Sequence, residues 1–155
     1  ADTATGSGSS TVINSTEGVL YAEISALVNE ESFRTISLSN GTNTNRVSFL
    51  YNTTEDVISY YVRNTSGVLL SDSDSVADIK DVVKVAIKYK STDFSVWLNG
   101  VEVATSVSVG DFSSNNLTEL SFNSGSADPF YGKVKSLQVY TTALSDAELT
   151  TLTTI

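Results

Sequence analysis

The chain has 155 residues, a formal net charge of −9 at neutral pH, and no histidine, cysteine or methionine. A chain of this length forms one domain that buries roughly 70% of its unfolded surface without a disulfide or a metal. The missing residue types exclude imidazole chemistry, thiolate nucleophiles, Ser-His-Asp triads and most zinc sites. The negative charge argues against nucleic acid and membrane surfaces as partners, and without any run of about 18 apolar residues we expect no membrane insertion.

The N-terminal stretch consists mainly of small and polar residues. Residues 1–16 are rich in Gly, Ser and Thr, and such a composition offers too little apolar surface to order a segment by burial. We therefore predict a linker or N-terminal arm over 1–16, with room for a short strand at Val12-Ile13. The folded domain is expected over 17–155.

The rest of the chain reads as short apolar runs separated by turn clusters such as Asn-Gly and Ser-Gly. Ten short strands at this spacing, with almost no helical periodicity, predict an all-β fold, an antiparallel β-sandwich of jelly-roll type. The predicted strands are Val19–Ala26, Arg34–Leu38, Arg46–Tyr51, Val57–Arg63, Val68–Leu70, Val82–Tyr89, Phe94–Leu98, Val101–Thr105, Leu117–Phe122 and Phe130–Tyr140.

One hairpin is predicted in detail. Asn99-Gly100 suits a two-residue type I′ turn, in which both central residues have positive φ. The alternation of faces that follows from this turn puts Trp97 on the face opposite the aliphatic side chains. The predicted register pairs Leu98 with Val101, Val96 with Val103, and Phe94 with Thr105.

A short C-terminal helix is predicted over Asp146–Leu152. Ser145 is its N-cap and Glu148 completes a capping box, while Leu144 and Leu149 occupy the positions of a hydrophobic staple. The core is expected to contain mainly inward-facing strand residues: Leu20, Ile24, Ile36, Val47, Phe49, Val85, Ile87, Phe94, Val96, Leu98, Leu120, Phe122, Val134, Leu137 and Val139.

Two segments carry a resemblance to a known family: YKSTDFSVWLNGVEVAT and, further on, FYGKVKSLQVYTTALSDAELTTL. Together they resemble the laminin-G-like jelly-roll branch of the concanavalin A-like lectin/glucanase superfamily. The Ser/Thr-rich, acidic, cysteine-free composition also resembles such domains in bacteriophage tail and fibre proteins. The family motif falls on Leu98, Asn99, Gly100, Phe130, Gly132, Val134, Leu137, Val139, Tyr140, Ala143, Leu144, Ser145, Glu148 and Leu149.

The resemblance raises the question of glycoside hydrolysis, since glucanases share this fold. Those enzymes carry their carboxyls on one strand in an E-x-D-x-x-E pattern, and retaining hydrolysis needs two carboxyls about 5–5.5 Å apart. No predicted strand has this pattern, and Glu30-Glu31 and Glu55-Asp56 are adjacent residues in turn-like sequence. We predict that the domain is not an enzyme.

Calcium is the candidate cofactor. The segment SDSDSVAD supplies Asp72, Asp74 and Asp78, whose oxygens suit a hard cation, although the segment fails the EF-hand pattern. The resemblance implies a calcium site at the sandwich rim, where Asp128 and Asp111 are further candidates. We take Asp72, Asp74 and Asp128 as the candidate ligands; the alternative is a solvated acidic loop.

The candidate ligand-binding residues are aromatic. Trp97, on the outward strand face, could stack against a sugar ring; the alternative is that the C-terminal helix or the arm covers it and makes it part of a second small core. Tyr60 and Tyr61 are consecutive, so one faces away from the core, and with Arg63 they could form an aromatic and polar patch. The alternative is that they are ordinary sheet tyrosines.

Two functions are open at this point. The first is a non-catalytic carbohydrate- or receptor-recognition domain of a virion or extracellular protein, whose partner is a glycan or a cell-surface receptor. The second is a structural decoration or spacer domain of a phage particle that contacts neighbouring virion proteins. A concave patch of aromatic and acidic residues favours recognition, whereas a flat apolar patch favours assembly.

Overall fold

The computed structural model describes residues 12–114, 116–125 and 127–155. Within them the chain forms ten strands and one helix. The eight-residue helix is too short to cross a bilayer. The elements are β1 (Glu17–Ala26), β2 (Arg34–Ser39), β3 (Arg46–Tyr51), β4 (Val57–Asn64), β5 (Gly67–Ser75), β6 (Val83–Lys90), β7 (Phe94–Leu98), β8 (Val101–Ser106), β9 (Glu119–Ser121), β10 (Gly132–Tyr140) and α1 (Asp146–Thr153).

The strands form two five-stranded antiparallel sheets. The first sheet has the order β10-β1-β6-β7-β8 and the second has the order β5-β4-β3-β2-β9. The inner faces of the two sheets form one shared core, with Leu20 and Ile87 from the first sheet and Phe49 and Tyr60 from the second. The predicted antiparallel β-sandwich with one short C-terminal helix is therefore confirmed.

Two residues predicted in the core are not there. Phe122 is 46% exposed because β9 ends at Ser121 and the chain leaves the sheet just before it. Val134 is exposed because β10 is an edge strand with β1 as its sheet neighbour, so the core does not extend over it. Leu120, Leu137 and Val139 are partly buried and pack against the core.

The β7–β8 hairpin has the predicted turn and a different register. Asn99 (φ 51°) and Gly100 (φ 86°) both have the positive φ of a type I′ turn. Leu98 pairs with Val101 as predicted, but a β-bulge inserts Val103 as an extra residue. The predicted Val96–Val103 and Phe94–Thr105 pairs are wrong: Val96 lies opposite Ala104, and Phe94 opposite Ser106.

Helix α1 packs on the outer face of the first sheet. Its capping box is formed as predicted, with the Ser145 N–H donating to the Glu148 Oε2 (2.8 Å) and the Glu148 N–H donating to the Ser145 Oγ (3.4 Å). Leu149 packs in a small second cluster with Trp97. The Lys88 ammonium, buried in the sheet, pairs with Asp146 at 3.0 Å and with Asp93 at 2.8 Å.

The described part of the predicted arm, 12–16, belongs to the sandwich. Ile13 is buried in the core, Tyr89 Oη donates to the Asn14 carbonyl (2.8 Å), and the Leu117 N–H donates to Ser15 Oγ (3.0 Å). The arm prediction is therefore wrong for these residues, since one apolar side chain and its polar neighbours suffice to fix them. They form no strand, and residues 1–11 lie outside the described residues.

A buried arginine lies beside a tyrosine at one end of the core. Arg34 Nη1 donates to the Val28 carbonyl (2.9 Å), and Arg34 Cζ lies 4.8 Å from the centre of the Tyr51 ring. The Tyr51 ring in turn stacks on Phe130 at 5.8 Å. Within the described chain, the Tyr51 hydroxyl and the Arg34 Nε and Nη2 atoms are buried without hydrogen-bond partners.

Candidate functional site

The outer face of the second sheet carries a row of small hydroxyl side chains. Residues on β2 and β3 alternate between the core and this face, so Thr35, Ser37 and Ser48 point away from the core. All three are nevertheless buried. Other structure must therefore cover this face.

The cover includes a crossing segment, defined here as residues 123–125 and 127–130. Ser37 Oγ donates to the Asn123 carbonyl (2.7 Å), and the Thr35 N–H donates to the Asp128 carbonyl (3.0 Å). Pro129 forms a parallel bridge with Thr35. The crossing segment therefore lies over β2 and delivers its side chains to the middle of the sheet.

A pocket of about 120 Å³ lies beside the crossing segment, and we call it the outer-face pocket. Its walls come from the central strand β3, from the neighbouring β4, from the residue before β2, and from the crossing segment. The lining residues are Phe33, Arg46, Leu50, Tyr61, Ser124 and Asp128.

Arg46 is the cation of the pocket. Its Nη1 donates to Ser124 Oγ (2.6 Å) and to Asn43 Oδ1 (3.1 Å), and Ser124 Oγ donates to the same Asn43 oxygen (2.6 Å). Arg46 Cζ lies 5.2 Å from the centre of the Tyr61 ring. These contacts hold the guanidinium in one place on the outer face.

The guanidinium is also partly desolvated. Burial lowers the pKa of Arg46 from its ordinary value; nearby Arg63 lowers it further, while Tyr61 and Asp128 oppose that change. Arginine still stays charged at any physiological pH. Among the described residues Arg46 forms no ion pair, and its Nε is buried with no hydrogen-bond partner. A fixed cation without an ion-pair partner suits an anionic ligand group, which would reach the guanidinium at atoms other than the buried Nε.

Asp128 supplies the acceptor in the same pocket. Its backbone has φ 52°, a left-handed conformation that is uncommon outside glycine, and the hydrogen bond from Thr35 to its carbonyl holds it there. Its carboxylate attracts Arg46 without forming an ion pair with it. The pocket therefore offers a separate donor and acceptor to a ligand.

Two aromatic rings border the pocket. Phe33 is 44% exposed, and Tyr61 is partly buried beneath the guanidinium of Arg46. Around it, the hydroxyls of Ser48 and Thr35 are fully buried and have no partner in the described part of the chain. Ser48 lies opposite Tyr61 and Thr35 lies opposite Leu50 in the strand register. These two hydroxyls lie beneath the sheet surface and do not line the pocket, whose apolar surface from Phe33, Leu50 and Tyr61 adjoins the polar Arg46, Ser124 and Asp128, a combination typical of a small-ligand site.

A larger groove, of about 470 Å³, lies beside α1. Its lining includes Tyr140, Leu144 and Leu152, with Glu148 as its one charged side chain. Glu148 already caps the helix, and within the described chain no lining atom is buried without a partner. The outer-face pocket is therefore the stronger candidate, although it is smaller.

The structure brings some of the predicted site residues together. Tyr61 and Asp128 both line the outer-face pocket. Arg63 lies on β4 directly opposite Arg46 and is exposed beside it. The pattern of consecutive tyrosines therefore led to a strand that lines this pocket, and its role in binding stays a prediction.

Two predicted aromatic platforms are wrong. Trp97 is 7% exposed because α1 covers it with Leu149, so the second small core considered above is what forms. Tyr60 faces the main core and is buried, because it alternates with the outward Tyr61. Neither ring is available to a ligand.

The predicted calcium ligands do not meet. Asp72 and Asp74 lie on the edge strand β5, opposite Tyr60 and Ile58, whereas Asp128 lies in the outer-face pocket. Over 12–114, 116–125 and 127–155, no three acidic side chains are grouped to hold a metal. Asp78 pairs with Lys80 at 3.1 Å. Three carboxylates therefore do not form the proposed site, and calcium binding itself stays a prediction.

The sequence patterns missed Arg46, Phe33 and Ser124. Arg46 alternates with Ser48 and Leu50 along β3, which is a usable signal that it faces outward. Ser124 lies 78 positions from Arg46. No local pattern predicts that contact, because it depends on the path of the crossing segment.

The family model of the concanavalin A-like lectin/glucanases superfamily, of laminin G type, matches residues 9–150. The chain belongs to this superfamily. Its match spans most of the chain and both sheets of the sandwich. No curated protein sequence matches this concanavalin A-like domain.

Solved structures with the same fold include parts of two sialidases and of an extracellular arabinanase. The CBM40 domain of the Ruminococcus gnavus IT-sialidase, bound to α2,3-sialyllactose, is 21% identical with a TM-score of 0.70, over 92% of this chain and 84% of that one. Domain 4 of the extracellular arabinanase AbnA of Geobacillus stearothermophilus, in complex with arabinotriose, is 14% identical with a TM-score of 0.68, over 91% and 68%. The leech intramolecular trans-sialidase is 20% identical with a TM-score of 0.67, over 92% of this chain and 24% of that one. These similarities show the fold of the concanavalin A-like domain.

Proposed function

We propose that this domain is a non-catalytic carbohydrate-recognition module of a virion or extracellular protein, and that it binds an acidic glycan in the outer-face pocket. The observation that carries the proposal is the fixed guanidinium of Arg46, which is partly desolvated and has no ion-pair partner in the described chain. The similarity to a CBM40 domain described as bound to sialyllactose supports a sialylated glycan as the ligand.

Each of these pocket residues would contact a different part of the sugar. A sugar carboxylate would accept hydrogen bonds from the Arg46 guanidinium, because guanidinium and carboxylate geometries match. Ring hydroxyls would donate to the Asp128 carboxylate, and the C–H face of the ring would rest on Phe33. Each role uses a group that already lies in the pocket wall.

The carboxyl count supports binding without hydrolysis. Asp128 is the single carboxylate among the six lining residues. Glycoside hydrolysis uses a pair of carboxyls, about 5–5.5 Å apart in retaining enzymes and about 6.5–9.5 Å apart in inverting ones. One carboxylate in the pocket suits a hydrogen-bond acceptor.

The affinity should be modest. One charged contact and one ring contact must offset the entropy cost of ordering the sugar. We therefore expect a dissociation constant near the millimolar range, which corresponds to a binding free energy of about 4 kcal/mol. Several copies on one particle or cell surface would raise the effective affinity through avidity.

Isothermal titration with α2,3-sialyllactose and with lactose tests the proposal. We expect sialyllactose to bind at least about tenfold more tightly than lactose, and Arg46→Gln to remove that difference, since a charged hydrogen bond contributes about 1.5–3 kcal/mol. Lys133→Gln is the matched control, because Lys133 is an exposed cation on the edge strand β10 of the other sheet. No binding of either sugar, or equal binding by Arg46→Gln, would refute the proposal. Repeating the titration in calcium and in EDTA tests the calcium prediction.

A second candidate function, assembly, is favoured by one edge of the sandwich. Val107 and Val109 follow β8 and are 82% and 83% exposed. Hydrogen bonds fix this segment, because the Thr92 N–H donates to the Ser108 carbonyl and the Gly110 N–H donates to Ser91 Oγ. Edge strands usually carry charges that prevent pairing. The edge strand β8 carries one charge, Glu102, and the valine segment after it carries none, whereas β10 has Lys133 and Lys135 and β5 has Asp72 and Asp74.

The assembly candidate has its own test. A structural decoration or spacer domain would associate through this valine edge, with itself or with neighbouring virion proteins. Sedimentation velocity over a concentration series should then show association that Val107→Ser combined with Val109→Ser abolishes. A monomer at every concentration would count against self-association at this edge.

A further inference from the structure

We infer that the outer-face pocket accepts one sugar unit at the end of a glycan and excludes units inside a chain. This inference rests on the proposed carbohydrate function and specifies which part of a glycan is recognised. It depends on three features of the pocket: its size, its wall along the crossing segment, and its closure by Arg46.

The first feature is size. Pockets that bury a drug-sized ligand measure about 300–1,000 Å³, whereas the outer-face pocket measures about 120 Å³. This volume holds the ring substituents and one side of a single sugar unit. A second unit would have to lie outside the pocket.

The second feature is the wall that the crossing segment forms over β2. An extended glycan could lie along the outer face of a sheet only if that face were open, but the crossing segment occupies it over β2. The Ser124 N–H donates to the Ala127 carbonyl (2.7 Å) and the Ala127 N–H donates to the Ser124 carbonyl (3.1 Å). These reciprocal bonds tighten the segment between its two attachments to the sheet, at Ser37 and Thr35. A chain that continued in this direction would meet backbone.

The burial of β2 residues argues against an open groove beneath the described residues of the crossing segment. Thr35, Ser37 and Ser39 are the outward residues of β2, and each is almost completely buried. Serine and threonine are too small to fill that space themselves. In the described part of the chain, the segment packs against β2 at Thr35 and Ser37 and keeps these two side chains from contact with a sugar.

The third feature is closure towards the β2–β3 turn. Arg46 Nη1, Ser124 Oγ and Asn43 Oδ1 are joined by three hydrogen bonds of 2.6–3.1 Å. Asn43 belongs to the turn, Arg46 begins β3, and Ser124 belongs to the crossing segment. This triad joins three parts of the chain across one side of the pocket. A unit bound against Arg46 can therefore extend its glycan only away from the wall and the triad.

The test compares ligands that differ in the number of units inside the chain. The probes are the α-methyl glycoside of N-acetylneuraminic acid and α2,8-linked polymers of the same sugar with a defined mean length. We expect the dissociation constant per polymer molecule to equal that of the glycoside, and sedimentation to find one domain bound per polymer chain. Several domains per chain, or tighter binding in proportion to length, would overturn the inference while leaving the proposed function standing. Failure of every probe to bind would instead refute the proposed function.

A variant tests the triad directly. Asn43→Ala combined with Ser124→Ala removes the triad partners of Arg46 and one tie of the crossing segment. We expect the dissociation constant for the glycoside to rise about fivefold, the loss of roughly one hydrogen bond. Trp97 fluorescence reports folding independently, because Trp97 lies under α1 on the opposite sheet. An unchanged dissociation constant in the folded variant would contradict the role of the triad.

Discussion

The Tyr51 hydroxyl is buried beside the Arg34 guanidinium with no hydrogen-bond partner in the described chain. Burying a polar group without a partner costs about 1–3 kcal/mol. We therefore expect Tyr51→Phe to leave the free energy of unfolding at pH 7 unchanged or to raise it by about 1 kcal/mol, because the ring and its stacking on Phe130 are kept. Urea unfolding measures this difference.

The same residue makes the fold sensitive to alkali. Burial raises the pKa of Tyr51 well above its usual value, although Arg34 lowers it slightly. Above about pH 10 the unfolded chain loses this proton while the folded chain keeps it, so stability falls as pH rises. Tyr51→Phe should make the fall between pH 8 and about pH 11 shallower. Tyr131→Phe, a change at an exposed tyrosine, is the control, and an identical slope in both variants would contradict the prediction.

At the scale of elements, α1 is held to the first sheet by Leu149 and by the Lys88 pairs. Burial lowers the pKa of Lys88, but hydrogen bonds to Asp93 and Asp146 outweigh it, so the pKa is raised overall. A raised lysine pKa contributes stability that is complete at neutral pH and is lost only as pH rises above about 10.4. The helix should therefore stay docked across the physiological range.

Asp146→Ala tests this attachment. The change removes one partner of Lys88 and a carboxylate from the positive end of the helix, and should cost about 1 kcal/mol, since Asp146 is itself well exposed. Trp97 should emit at short wavelength and resist acrylamide in the wild type, and become more quenchable in Asp146→Ala. Asp81→Ala, which removes an exposed carboxylate elsewhere, should leave quenching unchanged. Long-wavelength, fully quenched emission in the wild type would mean that α1 does not cover Trp97.

Elements were predictable where their signals are local. Turn residues and alternation locate all ten strands to within a few residues at most ends, and the Ser145–Glu148 capping box locates α1. β5 is the largest exception, since its polar half, through Ser75, has no apolar alternation. The Val103 bulge and the crossing segment were not predictable, because cross-strand packing and hydrogen bonds between distant residues determine both. The outer-face pocket depends on the crossing segment, and this is why the sequence patterns singled out Tyr61 and Asp128 separately and without Arg46.

At the scale of the molecule, the sandwich has one main core between its two sheets. Substitution of two phenylalanines, one inside this core and one beyond it, tests how far the core extends. Phe94 is buried on β7, so Phe94→Ala should cost about 3–5 kcal/mol. Phe122 lies beyond the end of β9 and is 46% exposed, so Phe122→Ala should cost less than half as much. Urea unfolding of the two variants measures the difference. Equal losses would show that Phe122 is a core residue in solution.

The placement of Arg46 and Arg63 on a protein of net charge −9 has a kinetic consequence. An approaching acidic glycan is repelled at long range and attracted only within contact distance of the two guanidinium groups. Added salt screens the long-range repulsion beyond a Debye length of about 8 Å at physiological strength, and it also weakens the contact itself. Association and dissociation should therefore both accelerate with ionic strength. The equilibrium constant is the ratio of these two rate constants and would vary less with salt concentration than either of them. The domain would then keep a nearly constant affinity and exchange ligands faster at high salt than in dilute buffer.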